Sequence, residues 1–70
     1  MQIVCLTTSA ATQVVRILLP AGLRPILDYE ISPEFATMAP IIFTMICALS
    51  PALLDQIRVI PDTTIFSAAA

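Results

Sequence analysis

The feature that most constrains this chain is an uncharged run covering residues 35–54, bounded by Glu34 and Asp55. It reads Phe-Ala-Thr-Met-Ala-Pro-Ile-Ile-Phe-Thr-Met-Ile-Cys-Ala-Leu-Ser-Pro-Ala-Leu-Leu. As a helix rising about 1.5 Å per residue, it would cover roughly 30 Å, the thickness of a bilayer's hydrocarbon core. Its mean hydropathy, roughly +1.9 per residue, falls in the range of spanning helices. On this basis the sequence predicts an all-α membrane protein: a single kinked transmembrane helix with a short N-terminal helix and an extended C-terminal tail.

Local punctuation divides the chain further. Ser32 can cap a helix, Pro33 suits the first helical position, where its missing N–H costs nothing, and Glu34 complements the helix dipole. Pro40 should bend the first half of the span. Ser50-Pro51-Ala52 repeats the same start signal, so the helix either kinks there or restarts as a short amphipathic turn through Asp55, Gln56 and Arg58 to Pro61. Upstream, Thr8 or Ser9 can cap a helix through Ala10, Ala11, Val14, Val15, Leu18 and Leu19, stopped by Pro20-Ala21-Gly22. That segment averages roughly +1.4 per residue and is broken by polar side chains, which favours an interfacial helix over a second span. The predicted organisation is an N-terminal amphipathic or interfacial helix over 1–20, a surface linker over 21–32 with Tyr29 at headgroup level, the transmembrane helix over 33–54, and a short amphipathic turn and extended tail over 55–70.

Composition bounds the function classes. Apolar residues make up 59% of the chain and charged residues 11%, against roughly 45–50% and about 25% in ordinary soluble domains. Three arginines against five acids leave a net charge of −2, and without a basic patch nucleic-acid binding is excluded. Two cysteines and no histidine make neither a disulfide framework nor a zinc site. A single glycine rules out most phosphate-cradling loops. Lacking histidine, the commonest axial ligand of haem and chlorophyll, the chain is expected to bind no cofactor through its own side chains; contact with lipid or pigment is left open. The first positive side chain is Arg16, so no cleaved leader is expected.

Within the span, residues four apart form a row of small side chains: Ala36, Pro40, Thr44, Ala48 and Ala52. In lipid, small residues let helix backbones approach closely, and Thr44 could add a hydrogen bond, so these five are the candidate partner-binding residues. Half of the stretch is small, so chance is the competing explanation. Pro40 would also free the Ala36 carbonyl. Cys5 and Cys47 are expected to pack as small hydrophobes. Asp28, Glu30 and Glu34, with Asp55 and Arg58, suit a solvated rim, the last two as a weak i, i+3 pair. No histidine, lysine or nucleophile motif accompanies the acids, so no enzyme is expected.

These observations lead to an expected function as a non-catalytic, low-mass accessory subunit that stabilises or helps assemble a larger membrane protein complex, photosynthetic or respiratory, in photosynthesis or electron transport. Its expected partners are larger integral membrane subunits and the lipid bilayer, with no nucleic acid. Its expected location is integral to a bacterial inner membrane or an organelle membrane such as the thylakoid or mitochondrial inner membrane. Three alternatives stand beside it: a self-associating membrane-active peptide, holin-like or toxin-like; a two-helix membrane hairpin subunit; and an interaction module whose apolar helix is buried in a partner.

Overall fold

Pro40 and Ser50-Pro51 cut the uncharged run into pieces too short to span. Between them, Ile41-Ile42-Phe43-Thr44-Met45 is β-branched and aromatic, a composition that favours a pleated strand over a helix. In the computed structural model, which describes residues 1–32 and 40–66, this piece is a strand. The elements run β1 (Gln2–Cys5), α1 (Thr8–Leu18), β2 (Tyr29–Ile31), β3 (Ile41–Met45), α2 (Pro51–Arg58) and β4 (Thr63–Phe66).

The strands form one sheet in the order β2-β3-β1-β4, every neighbouring pair antiparallel. β1 and β2 therefore point the same way with β3 between them, and β3 and β4 point the same way with β1 between them. These are two interleaved split β-α-β units, the ferredoxin-like arrangement. Register is set by Ile3 opposite both Phe43 and Ile65, and Val4 opposite both Ile42 and Thr64.

The all-α fold with a kinked transmembrane helix is thereby corrected. Among the described residues, no helix is long and apolar enough to cross a membrane; α1 has 11 residues and α2 has 8. The expected integral-membrane location, and the membrane, transmembrane, photosynthetic and electron-transport associations that rested on the span, lose their support. The physical reason lies in β3. It is an inner strand hydrogen-bonded on both sides, and apolar side chains on both of its faces make it read as one continuous hydrophobic run. Residues 33–39, the first part of the expected span, lie outside the described residues.

Helix ends follow local chemistry. Thr7 caps α1, its Oγ1 accepting the Ala10 N–H at 3.1 Å. Ser50 caps α2, accepting the Leu53 N–H at 3.3 Å, with Pro51 opening the helix where no N–H is needed. After α1, Gly22 takes φ +88°, which lets the Gly22 N–H reach the Leu19 carbonyl at 3.0 Å and the Leu23 N–H reach the Leu18 carbonyl at 3.1 Å. This Schellman pattern needs a left-handed residue, which glycine supplies without a Cβ penalty.

Both helices cover one face of the sheet. Ala10, Ala11, Val14 and Leu18 of α1 and Ile57 of α2 pack on Ile3, Cys5, Phe43, Met45 and Tyr29, with Leu49 and Ile60 closing the ends of the core. The Tyr29 and Phe43 rings meet at 5.8 Å between centroids, tilted by 48°. Such tilted pairs contribute about 0.5–1.5 kcal/mol beyond their burial.

Candidate functional site

Strand alternation sends every second side chain away from the helices. The face so formed carries Gln2 and Val4 of β1, Glu30 of β2, Ile42 and Thr44 of β3, and Thr64 and Phe66 of β4. In the register, Val4 is flanked by Ile42 and Thr64, Gln2 by Thr44 and Phe66, and Glu30 lies opposite Thr44. Val4 and Ile42, in the middle of the sheet, are half-buried by their neighbours, while Phe66 at the edge is 54% exposed. Neither helix covers this face, and its one charged side chain among the described residues, Glu30, stands on the edge strand β2. A soluble antiparallel sheet ordinarily turns polar residues outward on its open side; here the central pair is aliphatic, and Phe66 beside Gln2 adds an aromatic ring at the edge.

Two other surfaces carry apolar side chains. Ala11, Thr12 and Val15 of α1 face Ile31, Ile41 and Phe43 across a shallow groove of about 270 Å³. Its walls offer little polarity, because the Thr12 hydroxyl is spent on the Thr8 carbonyl at 2.9 Å. At the opposite end of the sheet, the turn before β2 exposes Ile26 and Leu27, 82% and 68% accessible. The Ile46 N–H donates to the Asp28 carbonyl at 2.8 Å, which sets exposed Ile46 beside this turn. Asp28 organises the turn, its Oδ2 accepting the Arg24 N–H at 2.8 Å and its own N–H donating to the Arg24 carbonyl at 3.0 Å. Ile26 holds φ at +74°, a left-handed conformation that is strained for a β-branched residue.

Among the described residues, no group of three histidine, cysteine, aspartate or glutamate side chains could hold a metal ion. Cys5 lies buried in the core; burial pushes its thiol above the ordinary 9.0, partly offset by the Thr63 hydroxyl donated to Sγ at 4.0 Å. A thiol so placed is little ionised and a poor nucleophile at neutral pH. Tyr29 is also raised above its ordinary 10.0, first by burial and then by the negative charge of Asp28. Its hydroxyl is enclosed and finds no partner among the described residues. Asp55 and Arg58 meet at 3.3 Å on the exposed side of α2, a surface pair with no second partner among the described residues.

The five small residues picked from the sequence do not share a helix. Pro40 is exposed just ahead of β3, Thr44 lies on the uncovered sheet face, Ala48 is exposed between β3 and α2, and Ala52 is exposed in the first turn of α2. Ala36 lies outside the described residues. Only Thr44 joins the surface formed by Val4, Ile42 and Phe66, which the sequence reading did not pick. Their face depends on pairing register, a long-range property; the local signal available was the β-branched character of Gln2-Ile3-Val4-Cys5 and Thr63-Thr64-Ile65-Phe66. No protein family, curated protein or solved structure matches the chain.

Proposed function

We propose that this chain is a non-catalytic accessory module that works by docking onto protein through the uncovered face of its sheet. The observation that carries the reading is the pairing of Val4 and Ile42 at the centre of that face, with Phe66 exposed on its edge strand and Glu30 its sole charge among the described residues. A face with an apolar centre bordered by threonine and glutamine suits burial against a partner, since desolvating it costs few charges and withdraws aliphatic and aromatic area from water. The reading keeps the expected role in assembling a larger complex and drops its membrane setting.

The test is the mass of the native particle in the cell that makes the protein. In detergent-free extract, the chain should run in an assembly well above its own 7.5 kDa. Phe66→Glu should release it while Leu27→Glu, on the far turn, leaves it in place. A wild-type chain running at its own mass would contradict docking, and an assembly indifferent to Phe66→Glu would contradict this face.

A further inference from the structure

We draw no further inference here: the strongest candidate, the shallow apolar groove that α1 forms with β2 and β3 around Val15, Ile31 and Ile41, carries nothing because nothing in the structure shows what covers it.

Discussion

The two faces of the sheet are cut from the same strands and differ chiefly in what lies over them. β1 sends Ile3 and Cys5 inward, both 0% exposed under the helices, and Val4 outward to a face that neither α1 nor α2 covers. β3 does the same with Phe43 and Met45 against Ile42 and Thr44. Inward residues beneath α1 and α2 gain a second layer, which takes Ile3, Cys5 and Phe43 almost wholly out of water; outward residues have neither helix over them. Aliphatic side chains on both sides of a strand thus do not mean two buried faces. They mean one face closed by α1 and α2 and one that neither helix closes.

Substitutions across one strand are the hardest test of this difference. Phe43→Ala on the covered face should cost about 3–5 kcal/mol, enough to unfold much of a domain this small. Ile42→Thr next to it, on the uncovered face, should cost about 1 kcal/mol or less. Urea denaturation followed by circular dichroism measures both, and equal costs would erase the distinction between the faces. Alkaline pH probes the covered side without mutation. Cys5 and Tyr29 are both raised when folded, above 9.0 and 10.0, mainly by burial. The unfolded chain therefore gives up these protons at lower pH than the folded one. Stability should be fully present below about pH 9 and decline as pH rises beyond it, since the folded state then binds more protons. A urea midpoint unchanged between neutral pH and about pH 10 would mean that these groups are solvated.

Smaller effects sharpen the picture at the helices. Ser50→Ala removes the acceptor for the Leu53 N–H and should cost about 1 kcal/mol by thermal melting. A neutral outcome would mean that α2 starts elsewhere. Asp55→Ala breaks a pair whose side chains are 62% and 73% exposed, so it should shift stability by no more than about 0.5 kcal/mol. A larger loss would place that side of α2 against something other than water.

Helix punctuation was readable from the chain, because capping is local: Ser50-Pro51 marks the start of α2, and Thr7, one residue ahead of the candidates Thr8 and Ser9, caps α1. The exposed Asp55–Arg58 pair follows from i, i+3 spacing in the same way. What could not be read was the sheet. Gln2–Cys5 and Thr63–Phe66 are four residues each, too short for a period of two to stand out, and they pair across most of the length of the chain. The uncharged run misled for a definite reason. Hydropathy averages over a window and does not see that Pro40 and Pro51 bracket a β-branched segment of strand length, the one local sign that favoured a strand over a spanning helix. The candidate site was legible only at Thr44, since the other members of the face are assembled by register.

The strand assignment of residues 41–45 is tested most directly by proton NMR of the chain in detergent-free buffer. The Met45 N–H donates to the Met1 carbonyl, which makes Gln2–Thr44 and Val4–Ile42 the non-hydrogen-bonded pairs of the β1–β3 ladder. Their Cα atoms should lie about 4.5 Å apart, close enough for strong cross-strand Hα–Hα contacts. Those two contacts, with sequential strand patterns through Met45, are the expected result. An unbroken series of helical amide–amide contacts from Ile41 to Leu54 would contradict the fold and everything drawn from it.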